Sequence, residues 1–207
     1  NGSSMDLKLT RAKLTFSSVN SKMINSIAYI EISEFTKTTD ADFINAFNTL
    51  NKQSPQGYIL DLRNNPGGYV DSAIQVLGHF IEKGKVVVTM KTADNSNTQF
   101  NSKGAAELKG KPLVVLINHE SASAAEIVAG AIQDYKIGKL VGTQSYGKGS
   151  VQEITNYSDD SLLKISIAHW LTQNGRDVSG KGLTPDIIVE LEQEQLQKAL
   201  DVIMAKN

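Results

Sequence analysis

The sequence predicts an α/β fold built from repeated ββα units with additional strands. Two observations carry this. Short apolar runs of strand type ("IAYIEI", "GYILDL", "PLVVLIN") alternate with segments of helical periodicity at short spacing. No internal repeat, low-complexity tract or linker interrupts residues 12–207, so one domain is expected there.

Residues 12–19 ("AKLTFSSV") and 27–32 ("IAYIEI") alternate or are β-branched and read as strands. A helix is predicted over 38–53, with Phe43, Ala46, Phe47 and Leu50 on one stripe and Thr39 or Asp40 as cap. "GYILDL" (57–62) is almost wholly apolar, the pattern of a strand buried on both faces. "RNNPGG" breaks it, and helical spacing resumes over 69–83 through Val70, Ala73, Ile74, Leu77 and Ile81. Strands follow at 85–91 and 112–118, separated by a polar Gly/Asn/Ser-rich stretch that reads as a hairpin and surface loop. A helix is expected over 121–134, strands at 138–142, 150–155 and 162–171, and a closing helix over 192–206.

Composition narrows the function classes. A formal charge of −1 in 207 residues gives no basic surface for nucleic acid. No apolar run approaches the 18 or so residues of a membrane span, so no membrane contact is expected from this chain. There is no cysteine, which excludes disulfides, thiolate catalysis and Cys-ligated zinc. The opening "NGSS" before Met5 reads as a cloning scar or the stub of a truncated region.

Three stretches hold side chains suited to chemistry. In "NHESASAAEIVAG" (118–130), Ser123 and Glu126 form S-x-x-E, which is a capping box. The same serine is also a hydroxyl at a helix N-terminus after a buried strand, where the helix dipole favours a nascent anion. None of His79, His119 and His169 lies in a pattern that marks a base, and no serine sits in G-x-S-x-G.

The second stretch, "VGTQSYGKGSVQ" (141–152), nearly spells a phosphate loop. Gly149 stands where Ser or Thr should follow Lys148, and β-like residues follow in place of a helix. Ser145 and Lys148 also spell S-x-x-K, the nucleophile–lysine pair of penicillin-recognising enzymes, but glycines bracket this lysine and K-T-G is missing. A solvated turn is the third reading. The last stretch, "GYILDLRNNPGG" (57–68), is either a strand and a turn or a place where glycine brings a free amide close to a ligand.

Together these stretches resemble the carboxyl-terminal processing (tail-specific) proteases. The likeness runs from about Arg11 to the C-terminus and takes in "SKMINSIAYIEISEF", "GYILDLRNNPGG", "SASAAEIVAGAIQD", "VGTQSYGKGSVQ" and "GKGLTPDIIVE" in the family's order. It implies a ClpP/crotonase-like core and a serine endopeptidase that cuts proteins near their C-termini through an acyl-enzyme. It implies Ser123 as nucleophile, Lys148 as general base, Gln152 as its orienting partner, and the Gly68 and Ala124 amides as oxyanion hole. Asp61, Arg63 and Glu126 lie inside these motifs as supporting residues, or simply as a strand-end ion pair and a capping acid. No metal or cofactor is required.

The division of labour is chemically coherent. A free lysine amine has a pKa of about 10.4, so a lysine base must be desolvated, and a neutral amide partner orients it without raising its basicity further. The resemblance also implies substrates with apolar C-terminal tails and an extracytoplasmic place of work. Family members usually carry a PDZ domain before this region. Residues 1–11 then read as a remnant plus that domain's exit strand, residues 12–207 as the catalytic core, and a PDZ domain or regulatory protein as an absent partner. The usual "SASASE" is "SASAAE" here, with Ala125 in place of a serine that is not the nucleophile. The competing expectation is a non-catalytic peptide-binding scaffold on the same fold, or an inactive isolated core.

Overall fold

The computed structural model describes residues 17–205. Among these residues, two sheets and four helices make up the α/β architecture expected. The larger sheet has the order β1-β2-β3-β6-β7-β10. It comprises β1 (Val19–Ile24), β2 (Ile27–Ile32), β3 (Gly57–Asp61), β6 (Leu113–Ile117), β7 (Lys139–Gly142) and β10 (Ile187–Ile188). Only β1 runs antiparallel, joined to β2 through a turn at Asn25 (φ 53°); the rest are parallel.

Strand periodicity explains the two cores. Ala28, Ile30, Leu60, Val115 and Ile117 face α1 (Thr39–Asn51), α2 (Val70–Gly78) and α3 (Ala124–Asp134). Their chain neighbours Ile27, Tyr29, Ile59, Val114 and Leu116 face α4 (Glu192–Met204), against Ala199, Leu200 and Ile203. Burial on both faces is why β3 and β6 read as unbroken apolar runs.

The smaller sheet is antiparallel, order β5-β4-β9-β8. Its strands are β4 (Val86–Thr92), β5 (Asn97–Asn101), β8 (Ser150–Asn156) and β9 (Leu162–Thr172). Val88 and Trp170 join it to the core that contains α3. The polar stretch after β4 forms the expected hairpin.

Some boundaries differ from expectation. The strand expected at 12–19 lies mostly outside the described residues; β1 begins at Val19, and its edge position leaves too little burial for an alternating pattern. The helix expected over 69–83 ends at Gly78, whose position faces the backbone of Gly104. The helix expected from 121 starts at Ala124, residues 121–123 belonging to the loop before it. β10 was not anticipated, being two residues long. The expected remnant and exit strand at 1–11 lie outside the described residues. Among those described, no helix is long and apolar enough to cross a membrane.

One polar network fastens α4 to the sheet. Tyr29 Oη donates to Asp61 Oδ2 (2.7 Å), Arg63 forks onto the same carboxylate, and Arg63 Nη1 donates to Gln195 Oε1 (3.3 Å) and the Glu192 carbonyl (3.3 Å). Asp61 and Tyr29 are buried. Burial, then the charge of Asp61 and the hydrogen bond to it, hold the Tyr29 phenol well above its ordinary value. A raised folded-state pKa gives stability that is complete below the unfolded value, about 10 for tyrosine, and is lost as pH rises beyond it. Tyr29→Phe is therefore expected to cost about 1–3 kcal/mol near neutral pH. Because the parent alone carries the titrating phenol, the difference should narrow above about pH 10. Urea unfolding of both proteins at neutral and alkaline pH measures this; a constant difference across that range would contradict it.

Candidate active site

In open α/β sheets ligands gather beyond the carboxyl ends of the parallel strands. Here the loops leaving β3 (62–69) and β6 (118–123) meet at that edge and are stitched together by asparagine and serine side chains. Ser121 Oγ donates to the Leu62 carbonyl (2.8 Å), and Asn118 Oδ1 accepts from the Asn64 amide (3.0 Å). The Ala122 amide reaches the Asn65 carbonyl (2.9 Å), while Asn65 Nδ2 reaches the Ile32 carbonyl at the end of β2 (2.7 Å). Gly67 has φ of +105°, and a Cβ there would stand 2.8 Å from Ser123 Cβ, so only glycine lets the first loop lie against the second.

Ser123 occupies the N-cap of α3 with φ 53° and ψ −114°, a conformation that costs a non-glycine residue about 1–3 kcal/mol. The Ser123–Glu126 box is in place, but only its carboxylate half is a full hydrogen bond. The Ser123 amide donates to Glu126 Oε2 (2.9 Å), while the serine hydroxyl makes no cap hydrogen bond. The flanking amides of Gly68 and Ala124 donate to no backbone acceptor among the described residues. Beside the half-buried Ser123 there are thus two available N–H donors and the positive end of a helix dipole.

Glu126 does more than cap. It is fully buried and takes four hydrogen bonds, the full acceptor capacity of a carboxylate. Besides the Ser123 amide it accepts from Ser145 Oγ (2.6 Å), the Gly147 amide (2.7 Å) and the Lys148 amide (2.9 Å). One carboxylate thereby bonds to the backbone of Ser123 and of Lys148, 25 positions apart. The Lys148 carbonyl accepts from Trp170 Nε1 (2.9 Å), so the lysine is held from both sides. Gly147 has φ of +87°, and a Cβ on it would fall 2.8–3.0 Å from the backbone of Gly182, Lys181 and Val178.

These contacts remove two of the sequence readings. Ser145 is buried, donates to Glu126 and accepts from the Leu183 amide (2.6 Å), and residues 144–149 form no helix; S-x-x-K chemistry at Ser145 is ruled out by that geometry. The phosphate-loop reading fails because strand β8 follows Lys148. His79 lies between Asp40 and Glu107, 3.0 Å from each, a structural position remote from Ser123.

Gly68, Ser123, Lys148 and Gln152 all line one cavity of about 720 Å³. Ser150, Val151 and Gln152 all line it, so strand alternation, which would set Ser150 and Gln152 alone on that face, does not hold at this irregular point of the ladder. No hydrogen bond links Ser123 Oγ to Lys148 Nζ, or Lys148 to Gln152, and no ion pair among the described residues engages Lys148. The lysine is half-buried and its amine meets no carboxylate. Val70, Met90, Val151, Ile154 and Trp170 supply apolar wall. Asp61 and Arg63 do not line the cavity: they share the strand parity of Ile59 and face α4. The sequence reading did not single out Asn65, Asn118, Ser121 or Trp170. The asparagines carried a signal, since Asn after a buried strand suits loop-closing hydrogen bonds.

The pattern of peptidase family S41 matches residues 26–189. A carboxy-terminal-processing protease of Bartonella bacilliformis is 38% identical over 98% of this chain and 48% of its own length. A Staphylococcus aureus protein named "probable CtpA-like serine protease" is 36% identical over 92% of this chain and 38% of its own. Among solved structures, the photosystem II D1 C-terminal processing protease superposes with a TM-score of 0.75 at 30% identity, covering 90% of this chain and 52% of that one. The chain spans about half the length, or less, of these relatives.

Replacing Glu126 by Gln keeps the volume but turns an NH₂ group toward two of the four donors. Leaving buried donors unmet predicts a loss of about 2–5 kcal/mol in unfolding free energy. Denaturant unfolding of Glu126→Gln measures it; a loss below about 1 kcal/mol would show that the carboxylate does not hold these segments.

Proposed function

Because the chain belongs to peptidase family S41, we propose that it is the catalytic core, residues 12–207, of a serine endopeptidase that cleaves proteins near their C-termini. One observation carries the reading: Ser123, at the start of α3, lines the same cavity as Lys148, with the unpaired amides of Gly68 and Ala124 beside it. Every role in acyl transfer has a candidate within that space.

In this mechanism Ser123 Oγ attacks the scissile carbonyl carbon while Lys148 Nζ takes the hydroxyl proton. The tetrahedral oxyanion accepts hydrogen bonds from the Gly68 and Ala124 amides. As the C–N bond breaks, the lysine passes its proton to the leaving amine. Water then attacks the ester, giving its proton to Lys148, and the proton returns to Ser123 as the carboxylic product departs. The transfer requires Nζ to come within about 2.6–3.2 Å of Oγ, a distance that often tightens only with substrate bound. Turning about the lysine's own side-chain torsions accomplishes this, since its backbone is pinned on both sides. Gln152 orients the amine without adding a charge. The apolar wall suits substrates with apolar tails, delivered by a PDZ domain or a regulatory protein in the complete protein.

A fluorophosphonate probe is expected to label the chain at Ser123 and not to label Ser123→Ala. Lys148→Ala should slow labelling and peptide cleavage by about 10²–10⁴-fold, the range of general-base catalysis. Labelling that survives Ser123→Ala would overturn the assignment.

A further inference from the structure

The smaller sheet stops at the cavity with an open edge. β8 pairs with β9 on one side only, and among the described residues Ser150–Asn156 make no backbone hydrogen bond outside that ladder. An unpaired strand edge is a template for another strand, and proteins usually blunt one with proline, lysine or a covering element. β8 has no proline or lysine and, among the described residues, no covering element: its sequence, SVQEITN, holds one charge, at Glu153, and most of the strand is exposed. Seven residues at about 3.3 Å each give an edge of about 20 Å, enough for a peptide of six or seven residues.

The edge belongs to the cavity. β8 begins two residues after Lys148, and Gln152, Ile154 and Asn156 point into the space that holds Ser123. We infer that the substrate polypeptide is bound by strand addition, as a fifth strand on the free edge of β8. The inference rests on the protease reading and specifies how that site takes its substrate. Main-chain hydrogen bonds supply affinity that tolerates sequence variation, and alternate side chains supply selectivity. On one face of the added strand those side chains meet Gln152, Ile154 and Asn156 at the cavity wall. On the other face they extend a surface already carrying exposed Leu163, Ile165 and Ile167.

The ladder shifts register where Val151 pairs with Ala168 and Gln152 with Ser166; the extra residue is Ile167 of β9, so the outer edge of β8 stays continuous from Asn156 to Ser150. A chain paired along that edge is led to Ser150, two residues from Lys148, and beyond the strand's end its next carbonyl is open to attack by Ser123.

The test uses the Ser123→Ala protein, which holds peptide without turnover, and a fluorescent peptide of about ten residues with an alternating Val/Ala tail. A series with one N-methylated amide per peptide is titrated by anisotropy. Strand addition predicts that methylation raises Kd about tenfold or more at every second position and changes it little between. Amide exchange within β8 should slow on binding. Uniform effects, absence of saturable binding, or unprotected β8 amides would overturn the inference. Cleavage by the unsubstituted chain without the alternation would sink strand addition and leave the protease reading standing. Alternating binding with no cleavage would do the reverse.

Discussion

The carboxylate of Glu126 is the point on which the site depends. It lies fully buried in the first turn of α3 and bonds to the backbone of Ser123 on one side and of Gly147 and Lys148 on the other. A buried charge is tolerated only when its hydrogen-bonding capacity is met, and here four donors meet it. Those donors come from two segments that are joined besides by the Tyr146 amide on the Ser121 carbonyl (3.0 Å). The requirement runs both ways: the irregular run 144–149 has no regular secondary structure of its own and takes its shape from the acceptor it wraps.

The strained backbone of Ser123 follows from the same arrangement. Its φ of 53° is unfavourable for a residue with a Cβ and persists because its surroundings over-determine it. The Glu126 carboxylate holds its amide, Ala122 is tied to Asn65, and Gly67 presses against its Cβ. In this geometry the cap hydroxyl stays beside the helix amides without making the full cap hydrogen bond. The capping pattern and the candidate nucleophile thus share one residue, whose amide is held by the carboxylate half of the box.

Much of the fold was legible because the parallel strands are buried on both faces and the helices have one apolar stripe. β3, β6 and α3 were visible for that reason. β1 and β10, at the sheet's two edges, are too short or too exposed to leave a pattern. For the site, residue types and spacing directed attention to Ser123 and Lys148, but local sequence alone left both open to bland readings, and only family resemblance joined them. The decisive contact, Ser145 and Gly147 on Glu126, spans about twenty residues and is purely tertiary. Asp61 and Arg63 show the converse limit. Adjacent in sequence to the Gly67–Gly68 loop, they face α4 because strand parity, not proximity along the chain, decides which core a side chain enters.

The two candidate catalytic groups come from parts of the molecule with different mechanical character. Ser123 rides on a helix buried against the parallel sheet, where neighbouring strands and two stitched loops fix it. Lys148 leads directly into β8, the exposed outer strand of the smaller sheet, and is tied back through Glu126 and Trp170. Its backbone is therefore fixed, whereas the wall against which its amine rests, Gln152 included, belongs to a hairpin open to solvent on one edge. No hydrogen bond joins Ser123 to Lys148, and the anchors stop at the lysine backbone. A polypeptide laid along β8 would complete that wall, exclude water from the amine and press it toward the hydroxyl. On the proposed mechanism, substrate binding and assembly of the base would then be a single event, coupled through the open edge.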